Sequence, residues 1–227
     1  MTSQPVAAQP LSLVHRTRWP QAEAGRLHPT IVALHGRGSH EGDLIGLADY
    51  LDPRLAWVSP RAPLRLQGGY EWYRLEAVGV PEQSSFAAAL DTAAEFVRAA
   101  VAAYPIDPAR VYLLGFSQGG MVAYALTLTQ PALMAGMIAH SSYLPLAALQ
   151  ATATLAPAGV AGKPILALHG TRDPLIPLPW AQAARDYVAG LGAQVTYQEF
   201  PIPHTVSDAS LAAMQAWLQT QLGQKAD

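Results

Sequence analysis

Val111-Tyr-Leu-Leu-Gly-Phe-Ser-Gln-Gly-Gly-Met-Val-Ala-Tyr-Ala125 is the stretch whose reading decides the fold. Its first four residues form a short apolar run with the length and continuous apolarity of a strand covered on both faces, as in a parallel sheet. From Gln118 a helical pattern rich in alanine runs to Gln130 and stops before Pro131. Between strand and helix lies Gly115-Phe-Ser-Gln-Gly119, a G-x-S-x-G string. Such an elbow is a sharp, strained strand-to-helix turn that leaves the serine Oγ exposed, and its flanking glycines let chain segments approach closely.

Working outward, further apolar runs lead into polar residues in the same way. Ile31 to Leu34 precedes His35-Gly36, Met134 to Ala139 precedes His140-Ser-Ser142, and Ile165 to Leu168 precedes His169-Gly170. Residues 55–58 and 195–200 read as two more strands. Helices are expected over 84–104, with Ser84 or Ser85 as cap, over 118–130, over 179–188 and over 207–222. Alternating strands and helices imply an α/β fold with a mostly parallel sheet. In such sheets functional groups gather beyond the carboxyl ends of the strands. That geometry nominates His35, Ser117, His140, His169 and Asp173 as neighbours of one cleft.

A serine hydroxyl is a weak nucleophile and needs a base, which needs an orienting carboxylate. With the nucleophile on an elbow, the chain order is serine, acid, histidine. Between Ser117 and His204 the acids are Asp173, Asp186 and Glu199. Asp186 falls inside a helix beside Arg185, and Glu199 falls inside a strand. Asp173 sits in the loop that follows the strand ending at Leu168. His140 and His169 precede Asp173, which leaves His204, in the loop before the last helix. The expected triad is Ser117, Asp173 and His204.

The backbone N–H groups of Gln118 and of Arg37, in Leu34-His-Gly-Arg-Gly38, are the expected oxyanion donors. Trp72, Tyr143, Ile176 and Trp180 are expected to wall a substrate pocket, together with Leu144 and Leu178.

Composition bounds the alternatives. The chain has 227 residues, 51% hydrophobic and 13% charged, a balance that excludes disorder. A net charge of -2 without charge runs argues against nucleic-acid or anionic-membrane binding. No cysteine is present, so disulfides, thiolate metal sites and cysteine nucleophiles are excluded. His40-Glu41 does not continue to a second histidine as a zincin helix would, and Gly159 to Pro164 fails as a P-loop. No metal and no cofactor is expected. One domain over 1–227 is expected, with flexible ends at about 1–10 and 223–227, no stable membrane anchor and a cytoplasmic location. Assembly is left open, a homodimer being compatible with the sequence.

The strings Leu34-His-Gly-Arg-Gly-Ser39, Ser59-Pro-Arg-Ala-Pro63, Gly68-Gly-Tyr-Glu-Trp-Tyr73, Gly115 to Gly120, Ser141-Ser-Tyr-Leu-Pro145, His169-Gly-Thr-Arg-Asp-Pro174 and His204-Thr-Val-Ser207 occur in that order. Together they resemble the carboxylesterase/phospholipase group of α/β-hydrolases, which includes acyl-protein thioesterases. The resemblance implies an α/β-hydrolase fold without a large cap domain. It also implies a serine esterase acting on small ester substrates of short to medium acyl chains, with thioesterase or lysophospholipase activity as the alternative. A non-catalytic ligand-binding protein on the same fold is the rival reading. Members of the group usually carry Gly before the catalytic histidine, where this chain has Pro203, whose ring stiffens the loop.

Overall fold

A computed structural model describes residues 9–20 and 25–223. Strand β1 (His15–Arg18) is followed by β2 (His28–Leu34), a 3₁₀ turn at Leu44–Asp49 and β3 (Ala56–Pro60). Two small hairpins come next, β4 (Leu64–Leu66) with β5 (Gly69–Glu71), and β6 (Leu75–Ala77) with β7 (Val80–Pro81). Then follow α1 (Gln83–Ala103), β8 (Ile106–Phe116), α2 (Gln118–Thr129), β9 (Gly136–His140), α3 (Leu146–Thr152), β10 (Pro164–Gly170), α4 (Leu178–Gly190), β11 (Gln194–Phe200) and α5 (Asp208–Gly223).

Seven strands form one sheet in the order β1-β3-β2-β8-β9-β10-β11, with β1 antiparallel and the rest parallel. The two-residue period of a strand divides the core between its faces. Val32, Leu34, Val58 and Leu113 point to one side, where they meet α1, α2, α3 and α4 through Phe86, Val122, Leu149 and Val188. Ile31, Ala33, Trp57, Tyr112 and Leu114 point to the other, where α5 supplies Met214, Trp217, Leu218 and Leu222. The 3₁₀ turn adds Leu44 and Ala48 on that second face. Helix α2 is buried from Gln118 to Leu128, so the turn that leads into it is anchored in the core.

The six expected strands and four expected helices are all present, with shifted ends. Strand β9 begins at Gly136 because Pro131–Leu133 closes a 3₁₀ turn just before it. Strand β8 starts earlier than expected, at Ile106, but pairing with β2 jumps from His28↔Ile106 to Thr30↔Val111. Residues 107–110 therefore bulge, held by Asp107, which accepts from Ala109 N–H at 3.0 Å and Arg110 Nε at 2.6 Å. Helix α1 is capped by Glu82 rather than by a serine: its carboxylate accepts from Ser84 N–H at 3.1 Å and Ser85 N–H at 2.8 Å. The longer carboxylate side chain here does what a serine oxygen does at other N-caps.

The ends expected to be flexible lie mostly outside the described residues. Within them, Gln9 donates its N–H to Tyr104 Oη at 2.9 Å, and Gly223 closes α5. Among the described residues no helix is long and apolar enough to cross a membrane.

Candidate active site

Ser117 sits between β8 and α2 with φ 52 and ψ −119, a conformation that costs a non-glycine residue about 1–3 kcal/mol. Its neighbours make the turn feasible. A Cβ on Gly119 would lie 1.9 Å from the Leu34 carbonyl oxygen, and one on Gly115 would lie 2.4 Å from Gly119 O. Any side chain at either position would push the elbow off the sheet. Ser117 N–H donates to His140 O at 3.0 Å, while its own carbonyl accepts from Gly120 N–H, Met121 N–H and Ser142 Oγ. The turn is fixed from both sides.

His204 and Ser117 line the same cavity of about 350 Å³. The His204 ring packs on Phe116, centroids 4.9 Å apart, and its Nδ1–H donates to Asp173 Oδ2 at 2.7 Å. That bond leaves the Nε2 lone pair free to accept a proton. Asp173 Oδ1 accepts from Leu175 N–H at 2.9 Å and Ile176 N–H at 3.0 Å, and its side chain is fully buried. Burial alone would raise its pKa. The N–H groups of Ile176, His204 and Leu175 outweigh that and hold the carboxyl below its ordinary value.

Pro203 leaves the histidine loop well anchored. Thr171 N–H donates to Phe200 O at 2.7 Å and Arg172 N–H to Ile202 O at 3.2 Å. Gly170 permits this approach, since a Cβ there would fall 2.3 Å from Ile202 O.

Gly36 to Ser39 form a turn closed by Ser39 N–H to Gly36 O at 3.2 Å, with Gly38 at φ 83 in the third position. This is the type II pattern that calls for glycine there. Strand β5 pins the turn: Gly38 N–H donates to Tyr70 O and Tyr70 N–H to Ser39 O, both at 2.8 Å. Arg37 Nε donates to the buried Glu71 carboxylate at 2.7 Å. Gly36 packs so closely that a Cβ on it would lie 3.4 Å from Ser117 Cβ. The Arg37 and Gln118 backbones thus flank Ser117, and Gln118 occupies the first helical position, whose N–H has no acceptor within the helix. The Gln118 side chain is itself a clamp, accepting from Trp72 N–H at 2.8 Å and donating to Tyr73 O at 2.7 Å.

Of the expected pocket residues, Tyr143, Ile176 and Trp180 line the cavity and Trp72 does not. Trp72 is fully buried, with its indole N–H donating to His35 O at 2.9 Å. The adjacent Tyr73 faces the cavity instead, with Phe116 and Met121. Leu144 lines a neighbouring trough, and Leu178 lines neither. Leu75, Val78 and Gly79 of the β6–β7 hairpin also border the cavity; short apolar hairpin residues carry no motif by which the sequence alone would reveal them.

The other strand-end histidines do not face the cleft, which corrects the expectation for His35, His140 and His169. All three are buried. His35 Nδ1–H donates to Gly36 O at 2.7 Å and Nε2 accepts from Ala62 N–H at 3.0 Å, so it fixes the loops beneath the site. His140 contacts the Ser141 and Ser210 hydroxyls, and burial pushes its pKa down to about 3. His169 donates through Nε2 to Ile176 O at 3.0 Å, bracing the turn that carries Asp173.

Comparison with known proteins finds relatives over most of the chain. The family model described as phospholipase/carboxylesterase matches residues 21–222. Acyl-protein thioesterase 1 of Schizosaccharomyces pombe is 28% identical over 210 residues, covering 86% of this chain and 91% of that protein. The crystal structure of esterase PE8 is 26% identical and covers 92% of this chain and 99% of its own, with a TM-score of 0.80. The Bacillus cereus carboxylesterase shares the fold at a TM-score of 0.81, with 22% identity over 92% of this chain and 94% of its own.

Proposed function

Because the chain belongs to the phospholipase/carboxylesterase family of α/β-hydrolases, whose members are carboxylesterase- and acyl-protein-thioesterase-type hydrolases, we propose that it cleaves carboxylic esters of short to medium acyl chains through an acyl-enzyme on Ser117. One observation supports this above the others. A strained, cavity-lining Ser117 shares its cavity with a histidine whose far nitrogen is already bonded to a buried carboxylate at 2.7 Å.

In this reading His204 Nε2 takes the Ser117 proton as Oγ attacks the acyl carbon. Asp173 holds the tautomer and stabilises the imidazolium. The N–H groups of Arg37 and Gln118 receive the developing oxyanion, a contribution worth roughly 10²–10³ in rate per donor. His204 then protonates the leaving alcohol, and a water activated by the same nitrogen releases the acid. The apolar walls of Tyr73, Met121, Tyr143, Ile176 and Trp180 suit a small aliphatic ester.

Ser117→Ala tests the reading. It should lower p-nitrophenyl butanoate hydrolysis by about 10⁶ and abolish labelling by a fluorophosphonate probe, with the thermal melt retained. Retention of more than a few per cent of activity would reject Ser117 as nucleophile. A thioesterase is the second reading, favoured by the name of the Schizosaccharomyces pombe relative. Rates on matched oxoesters and thioesters of one acyl group separate the two.

A further inference from the structure

Behind the wall of the Ser117 cavity lies a second trough of about 280 Å³, lined by Leu144, Leu146, Ala148 and Ala183. Three residues border both spaces: Gly79, Tyr143 and Trp180. The Tyr143 and Trp180 rings pack at 57° with centroids 4.9 Å apart. On the hairpin side Trp180 closes directly onto backbone, since a Cβ on Gly79 would lie 2.5 Å from its Cη2. The indole therefore fills the gap between hairpin and Tyr143. It carries no catalytic group, and the side chains beyond it are apolar.

Resting on the esterase reading above, we infer that Trp180 is the residue that sets substrate length. Its indole is a partition that stops an unbranched alkyl arm of the ester at the end of the Ser117 cavity. Without it the two spaces join into one apolar channel. The same chemistry arises from a fatty acyl chain or from a long alcohol, so two substrate series are needed. One varies the acyl group of p-nitrophenyl esters from acetate to dodecanoate, below micelle formation. The other varies the alcohol of acetate esters over the same lengths.

Each methylene moved from water into such a channel is worth a factor of about four in binding. For Trp180→Ala the ratio of kcat/KM between the twelve-carbon and four-carbon members should rise more than tenfold, mainly through KM, in whichever series carries the arm. Trp180→Leu should give a smaller rise in the same direction. In the wild type the profile should break at medium length. A folded Trp180→Ala whose ratio moves less than twofold in both series would overturn the partition. So would a wild-type profile that climbs unbroken to dodecanoate, which needs no variant to fold. Fluorophosphonate titration of both proteins keeps the two ideas apart. An unlabelled wild type sinks the esterase reading, whereas full labelling with an unchanged length profile sinks the partition alone.

Discussion

Asp173→Asn replaces one oxygen of a fully buried carboxylate by a neutral NH₂ group. In the wild type Oδ1 accepts two backbone N–H groups, from Leu175 at 2.9 Å and Ile176 at 3.0 Å, and Oδ2 accepts His204 Nδ1–H at 2.7 Å. An asparagine keeps the two backbone bonds only by placing its carbonyl where Oδ1 was. Its amide NH₂ then faces His204, and two donors cannot share that bond. The imidazole must turn Nδ1 into an acceptor and move its proton to Nε2, the nitrogen that has to receive the Ser117 proton. The expected loss in kcat/KM is about 10⁴, or about 5.4 kcal/mol of transition-state stabilisation. This is smaller than the Ser117 loss because the nucleophile and oxyanion donors remain. Stability should fall far less, by about 1–2 kcal/mol, because the loss of charge from the bonds to Leu175, Ile176 and His204 is partly offset by no longer burying a carboxylate. p-Nitrophenyl butanoate kinetics near neutral pH, with a urea melt of the same sample, read both numbers. A variant keeping more than a tenth of wild-type kcat/KM would refute this account of His204.

Two further outcomes follow from the surroundings of the site. Gly119→Ala should destabilise by about 3 kcal/mol, although alanine in a helix normally stabilises, because the new methyl would fall 1.9 Å from Leu34 O in a central strand; an unchanged urea midpoint would contradict the close approach. His140, with its pKa pushed down to about 3 by burial, stays neutral in the folded protein while the unfolded chain protonates near 6.5. Stability should thus fall by about 1.4 kcal/mol per pH unit as pH drops below about 6. His140→Gln should flatten that limb of the stability curve, and a slope as steep as wild type would assign it to other groups.

How much of this is legible in the sequence depends on how each residue is held. Ser117, Asp173 and His204 are readable because each lies just past a strand, and the chain order of a serine elbow eliminates the other acids and histidines. The strand-end histidines look equivalent on paper. Only packing shows that His35, His140 and His169 turn back into the protein, since strand position places a backbone and not a side chain. Trp72 and Tyr73 differ for the same reason. They are adjacent aromatics in an irregular segment, where no period says which one faces the cavity. Missing from the sequence reading are β1, both hairpins and α3. The His-Arg-Thr-Arg strand β1 is a polar edge, the hairpin strands have two or three residues, and α3 buries only Leu149. Segments that short produce no hydrophobic periodicity, yet one of them carries Gly79 and so decides where Trp180 rests.

Strain at the site is not confined to the elbow, and this explains how the elbow survives. Ser141 also has a positive φ, 48, at the end of the neighbouring strand β9. At about 1–3 kcal/mol each, two such residues take an appreciable part of the 5–15 kcal/mol that holds an ordinary domain together. The second strained turn has a use. It swings the chain back so that Ser142 Oγ reaches the Ser117 carbonyl at 2.9 Å, where Gly120 leaves just enough room for it. Ser141 is pinned in turn by Leu168 O, which accepts its N–H at 2.8 Å, and by the buried ring of His140 against its hydroxyl. Each strained serine is thereby bonded to the strand beside it, Ser117 to β9 and Ser141 to β10. Relaxing either one would break bonds in its neighbour as well. Ser117 is held rigidly because three parallel strand ends lock one another, and the same registry carries on through β10 to the turn that holds Asp173.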